Sequence, residues 1–227
     1  MIINKKVLLT CGVSLLIGTT SLFGMEKTAN NILANSYKYM GSLDKVSFKA
    51  VITENNHLMR HDVSVKMDRP NKLVVDTHGE FRNRTNYLYN GVYTMFDHNN
   101  LVYGEIDTPK DINNALDFLF QGFDINPPLS SVIYSDMVDR MNIKDGKYFG
   151  TKLINNIECD YIAFRKKGFT IHAWISTGEK PLVQTYSIIN GDERLNTSFV
   201  WNNNNKMNDT DFIFNKNGTK INVSSNK

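Results

Sequence analysis

The sequence predicts a mainly β, α+β protein in which a single curved antiparallel sheet forms an unclosed barrel and helices cover its concave side. Three observations predict it. Apolar and polar residues alternate in short runs on both sides of the chain's middle. Turn signals such as Asn90-Gly91 separate those runs. One amphipathic helical stretch interrupts them, from Thr108 to Phe123. A sheet face and a helix face that are both apolar each need the other to exclude water. A compact β-sandwich with decorating helices satisfies the same order, and differs in leaving no apolar cavity between sheet and helices.

The amino terminus reads as an export signal. Lys5 and Lys6 precede an apolar run from Val7 to Ile17, and small or neutral residues follow through Ser21 and Gly24. The run is about half of the ~20 residues a membrane-crossing helix needs. Residues 1–24 are therefore expected to be a cleaved signal peptide and the mature protein to be free in the periplasm. A lipid-modified Cys11 is the alternative, but cleavage there would cut the apolar core in two. Removal of the signal leaves roughly 200 residues, enough for one all-β domain with a real core. The expected division is one domain over 25–214 and a polar, frayed tail over 215–227.

Two of the +3 formal charges are Lys5 and Lys6, so the exported part is nearly neutral. Such a balance gives no reason to expect nucleic acid as a partner. Only Cys159 remains after cleavage, so no internal disulfide is possible.

After the signal, Ala29, Ile32, Leu33, Ser36, Tyr37 and Met40 fall at helical spacing, with Gly41 as a stop. Strands follow. Val46, Phe48, Ala50 and Ile52 alternate with Ser47, Lys49, Val51 and Thr53, and Val63, Val65 and Met67 repeat the pattern. If the first set faces the concave side, Val63, Val65, Leu73 and Val75 share it, and Lys49 and Lys66 are solvated. Asn90-Gly91 marks a hairpin and Asn99-Asn100 another turn, which makes the first half a β-meander. For the central helix, Thr108 serves as cap, Pro109 suits the first turn and Asp111 favours the amino end. Leu116, Leu119, Phe120 and Phe123 are expected on its inner face, and Phe118 off it. A less regular helical piece over 129–141 follows, then strands from Tyr148 onward, ending in a short strand at Phe212-Ile213-Phe214.

Catalytic signals are poor. His57 and His61 are four apart but lie beside a strand-like run, where that spacing separates them, so surface histidines are the expectation and no metal or cofactor is assigned. Cys159 with His172 suggests a thiol–imidazole pair, yet Ile157, Ile162 and Ala163 around the cysteine suit a packed small residue. No phosphate-cradling glycine loop, Gly-X-Ser-X-Gly turn or His-Glu-X-X-His motif occurs. Aromatic residues crowd both meanders and the central helix, as core or as the lining of a greasy cavity.

An ordered set of motifs carries a family resemblance. Asp111-Ile112-Asn113-Asn114-Ala115-Leu116-Asp117-Phe118-Leu119 leads to Pro127-Pro128-Leu129 and Tyr134-Ser135-Asp136. Ile157-Glu158-Cys159-Asp160-Tyr161-Ile162-Ala163-Phe164-Arg165, Lys180-Pro181-Leu182 and Asp211-Phe212-Ile213-Phe214 follow. Arg69-Pro70-Asn71-Lys72-Leu73 and Tyr89-Asn90-Gly91 also fit. The set, spanning about Ile32 to Phe214, resembles the bacterial periplasmic family called domain of unknown function 2092, which is similar in fold to the lipoprotein carriers LolA and LolB and to the RseB sensor domain. The resemblance implies a LolA-like half-barrel with helices plugging its mouth and an apolar cavity. The lid-locking arginine of the true carriers is placed on no particular residue, and Arg82, Arg84, Arg140 and Arg165 stay unassigned.

The expected function is noncatalytic binding of a lipid, acyl chain or other hydrophobic ligand by a monomer. Phe48, Ile52, Val63, Val65, Leu73, Val75, Leu116, Leu119, Phe120 and Phe123 are expected to line the site, with the central helix as its cover, swinging about Thr108-Pro109 and Pro127-Pro128. The alternative is a cell-envelope interaction or sensor module with a filled core, binding another envelope protein. A hydrolase is the third reading.

Overall fold

The computed structural model describes residues 27–54, 59–80, 82–141, 145–166, 168–202 and 206–224. Helix α1 (Ala29–Ser42) leads into six strands: β1 (Lys45–Glu54), β2 (Met59–Asp68), β3 (Lys72–Gly79), β4 (Arg84–Tyr89), β5 (Val92–Asp97) and β6 (Val102–Asp107). Three helices follow, α2 (Ile112–Phe123) and the single turns α3 (Ser130–Ile133) and α4 (Met137–Arg140). A second meander comprises β7 (Lys147–Ile154), β8 (Ile157–Lys166), β9 (Phe169–Ser176), β10 (Val183–Asn190) and β11 (Glu193–Asn202), and β12 (Thr219–Ile221) ends the described chain.

All twelve strands form one unclosed sheet in the order β12-β6-β5-β4-β3-β2-β1-β11-β10-β9-β8-β7. The two meanders join where β1 pairs antiparallel with β11, placing Phe48 opposite Trp201. Because β6 lies near one edge and β7 forms the other, the segment between them has to traverse a face of the sheet. That segment is α2–α4. Ile112, Ala115, Leu116 and Leu119 of α2 are buried in one core with Val46, Phe48, Ala50, Val63, Val65, Leu73 and Val75. The alternation read from β1–β3 is thus one continuous inner face, with Phe48 opposite Val65 and Val65 opposite Val75. Lys49 and Lys66 are exposed on the other side.

Asn90 and Gly91 both have positive φ, 53° and 81°, as the hairpin between β4 and β5 requires. The start of α2 differs from expectation. Its cap is Asp111, whose side chain accepts from the Asn114 N–H at 3.1 Å. Thr108 instead donates from its backbone N–H to the Gly91 carbonyl at 2.8 Å, so residues 108–110 stay outside the helix and brace that hairpin.

The carboxyl-terminal segment also differs. The expected strand at Phe212-Ile213-Phe214 is a 3-10 turn over Asp209–Phe212, held by a capping box between Asn208 and Asp211. It lies on the outer face of the first meander, where Lys66 pairs with Asp211 at 3.0 Å and Lys72 with Asp209 at 2.7 Å. Phe214 sits 5.0 Å from the rings of Phe96 and Tyr103 and 5.6 Å from Tyr87. Those outward rings are the apolar surface that the strap covers. Beyond it, part of the expected polar tail is β12, paired parallel with β6, so the sheet is mixed rather than wholly antiparallel. Pairing satisfies the open edge of β6, and Val223 packs where Gly104 has no side chain.

At one end of the outer face, His78 Nε2 meets Asp76 Oδ2 at 2.8 Å and His78 Nδ1 meets Asn83 Oδ1 at 2.7 Å. The Asp76 hydrogen bond raises the His78 pKa above 6.5 against the opposing effect of desolvation. A raised folded-state pKa contributes stability that is fully present below the unfolded value and lost as pH rises through the folded one. The melting-temperature gap between wild type and His78→Asn is therefore expected to be larger at pH 5.5 than at pH 8.5. An equal gap at both values would rule out a charged His78–Asp76 contact.

Candidate functional site

Eight of the ten residues expected to line a cavity are buried in the core cluster. Val75 and Leu119 are 0% exposed, and Phe48, Ile52, Val63, Val65, Leu73 and Leu116 are buried with them. Phe120 is a correction, since it is 56% exposed. One residue on from Leu119 turns the helix by about 100°, which carries Phe120 off the stripe that meets the sheet. Phe123 is half-buried at the helix end, its ring 5.7 Å from that of the exposed Phe118.

The apolar opening lies elsewhere, under α1 and α4 and over β8–β10. It is a mostly apolar cleft of about 250 Å³ between α1, the α3–α4 segment and the second meander, lined by Leu33, Tyr37, Met137, Met141, Ile171 and Ile188 among others, with Ser131 and Lys166 as its polar members. None of the ten expected residues lines it. The sheet register explains the grouping: Phe164 faces Ile171 and Ile171 faces Ile188, so one inner row crosses three strands. Burial pushes the Tyr37 phenol up to about 12 and raises Tyr186 as well, so both hydroxyls stay protonated at neutral pH. Two methionines four apart give the roof soft, adaptable side chains. That i, i+4 pair was the sequence signal available for this side of the site.

The roof is held by polar ties. Helix α4 buries none of its residues. Arg140 anchors it, donating to both Asp117 oxygens at 2.7 and 2.9 Å and to both Asp136 oxygens at 2.6 and 2.9 Å, with its guanidinium 4.1 Å from the centre of the Tyr134 ring. The Arg140 bond holds the Asp117 carboxyl below its ordinary pKa, while burial and the Asp117 contact push Tyr134 up to about 12. Arg69 makes the second tie and was missed in the sequence. It donates from Nη2 to the Ile133 carbonyl at 2.7 Å and from Nη1 to the Leu43 carbonyl at 3.4 Å, joining the end of α3 to the end of α1.

The weaker catalytic candidates do not come together. Cys159 is fully buried opposite Ser176, and burial followed by the nearby Asp160 charge pushes its thiol up to about 11. His172 faces Ala163 instead and bonds the Tyr161 hydroxyl at 2.7 Å. His57 lies outside the described residues, as do residues 1–26 with the expected signal. Among the described residues no cluster of three His, Cys, Asp or Glu side chains has the spacing to hold a metal ion, and no helix is long and apolar enough to cross a membrane.

No curated protein matches the chain. Among solved structures, an uncharacterized conserved protein from Thermus thermophilus is similar over 86% of this chain and 98% of its own, at 10% identity and a TM-score of 0.51. LprF from Mycobacterium bovis is similar over 79% and 95%, at 13% identity and a TM-score of 0.49. MucB in the Pseudomonas aeruginosa MucA/MucB complex is similar over 84% and 62%, at 10% identity and a TM-score of 0.46. The first of these likenesses supports the half-barrel architecture and nothing finer. The family described as predicted periplasmic protein, DUF2092, matches residues 29–223, and the chain belongs to that family.

Proposed function

We propose that this protein is a noncatalytic periplasmic binding protein that holds an acyl chain or other hydrophobic ligand between α1, α4 and β8–β10. The observation that carries the reading is the apolar cleft of about 250 Å³ beneath a one-turn helix that buries nothing of its own. Sites for drug-sized ligands run from roughly 300 to 1,000 Å³. The cleft therefore takes part of such a ligand as it stands, and a longer chain enters by displacing α4 from Arg140's clamp. An element with so little burial is drawn from the less stable parts of a fold.

The test uses a dansyl-labelled fatty acid. Ile171→Asn is expected to weaken its binding about fivefold, the loss of ~1 kcal/mol of methylene contact, while Phe120→Ser leaves binding and melting temperature unchanged. If the unmodified protein binds no such probe, or if Phe120→Ser weakens binding as much as Ile171→Asn, the cleft is not the ligand site.

A second reading, an envelope interaction module, draws support from the edge strand β7. Its Leu153 is 71% exposed, with Phe149 and Ile157 exposed beside it. On that reading Leu153→Lys abolishes binding of an envelope protein partner and leaves fatty-acid binding intact.

A further inference from the structure

A second cleft opens toward the same end of the strands as the apolar one, and its chemistry is the opposite. It measures about 190 Å³ and is lined by Thr77, Asn86 and Tyr93 of the inner face, by Arg82 and Arg84, and by the loop after α2 beginning at Asp124. Its floor is deeply buried: Tyr93 is 1% exposed, Thr77 2% and Asn86 5%. The hydroxyls of Tyr93 and Thr77 are both occluded, and among the described residues neither has a hydrogen-bond partner. A buried hydroxyl without a partner carries a desolvation cost that folded proteins rarely leave uncompensated. Two of them in one polar cleft mark a place where something else supplies the acceptor.

The charge around the floor says what the acceptor is. Among the described residues Arg84 makes no ion pair within 4.0 Å. Asp97, across the strand pair from it, accepts from the backbone N–H groups of Asn99 and Asn100 at 2.8 and 3.0 Å and also feels the Arg84 charge, though outside ion-pair distance. Arg82 adds a second guanidinium at the rim, against the single carboxylate of Asp124. Guanidinium and hydroxyl donors together match an oxyanion, which accepts from both. At ~30 Å³ per water, the space corresponds to about six waters, enough for one such group.

We infer that this cleft binds an anionic oxyacid group, a carboxylate or phosphate, through Arg84, Tyr93 and Thr77. The group is either a free small anion or the head of an amphiphile. The second source rests on the apolar-ligand reading and requires the amphiphile to pass over the buried Ile52 and Val63 of the intervening strands. From β10 under the apolar cleft to β3 under the polar one is four strand spacings, or about 19 Å at ~4.8 Å each. An amphiphile of that reach places its chain in one cleft and its head in the other.

The experiment titrates the full exported protein with inorganic phosphate and, separately, with dodecyl phosphate below its micelle concentration. Tyr93→Phe is expected to weaken phosphate binding about tenfold, the loss of one hydrogen bond to a charged group. The same substitution is expected to raise the melting temperature of the free protein, because it removes an unpartnered buried hydroxyl. Arg84→Gln weakens binding at least as much, and Arg84→Lys restores part of it. If the amphiphile is the source, dodecyl phosphate binds more tightly than phosphate and loses that advantage in Ile171→Asn. If phosphate and dodecyl phosphate bind Tyr93→Phe and Arg84→Gln as they bind wild type, the oxyanion site is overturned. The Ile171→Asn arm still reads the apolar cleft separately. A Tyr93→Phe protein that is more stable yet binds unchanged shows that the Tyr93 hydroxyl takes no part in anion binding, and overturns the site equally.

Discussion

Replacing Leu119 with alanine is expected to lower the melting temperature by roughly 8–16 °C, from a loss of about 4 kcal/mol in a domain of this size. Leu119 is 0% exposed and sits in one cluster with Phe48, Val65, Leu73 and Val75. Truncation removes the transfer free energy of its methyl groups and leaves a void that the rigid sheet below fills only in part. Phe120, its neighbour in sequence, is more than half exposed, so Phe120→Ser is expected to stay within about 0.5 kcal/mol of wild type. The pair separates core from cover on a single helix. Thermal unfolding of the two variants side by side checks it, and a Phe120→Ser protein that melts as low as Leu119→Ala would show that α2 packs differently from the structure described.

The contrast also shows what the sequence carried and what it did not. Period-two alternation in β1–β3 is a strong signal because a one-residue slip would turn every apolar side chain to solvent. Val46, Phe48, Ala50 and Ile52 are accordingly all buried on one face. Asn90-Gly91 was equally legible, since two consecutive positive φ values leave few residue choices. The start of α2 was not. Thr108-Pro109 and Asp111 each have the chemistry of a helix start, and the Thr108 N–H and hydroxyl were claimed by the Gly91 carbonyl, a contact 17 residues away. Strand β12 was illegible for a different reason. It exposes all three of its side chains and joins the sheet through backbone pairing and a Lys220–Glu105 ion pair at 2.6 Å, which leaves no hydrophobic pattern to read.

The apolar cleft under α1 and α4 was not legible because periodicity reports burial and not whether buried space is filled. Leu33, Met137, Ile171 and Ile188 come from α1, α4, β9 and β10, and each reads as ordinary core in its own element. Only the fold shows that their neighbours fail to close over them. The first meander carried the stronger apolar pattern for the opposite reason, since α2 lies against it and completes the packing. Arg69 escaped notice because an arginine at a turn reads as solvated, whereas its partners are carbonyls at the ends of two helices that lie far apart in sequence.

Those carbonyls make Arg69→Ala the second large effect. Leu43 caps the end of α1 and Ile133 is the last residue of α3, so both carbonyls belong to the set that a helix cannot satisfy internally. A cation there is doubly suited, as a donor and as a countercharge to the helix ends. Burial draws the Arg69 pKa down while Asp111 and Asp44 push it back up, and the guanidinium stays charged. The alanine variant leaves the Ile133 and Leu43 carbonyls without this donor, at a cost of about 2–4 kcal/mol. In melting temperature that is a fall of roughly 4–16 °C. Hydrogen exchange is expected to localise the loss, with amides in the last turn of α1 and in α3 and α4 opening before those of β1–β3. Arg69→Lys recovers little of it, because one ammonium on a single stem does not reproduce the fork that reaches two carbonyls in different directions. Full recovery in Arg69→Lys would mean that charge alone holds this corner. An Arg69→Ala protein that melts with wild type and shows no faster exchange in α3 and α4 would remove Arg69 as a tie between the roof and the sheet.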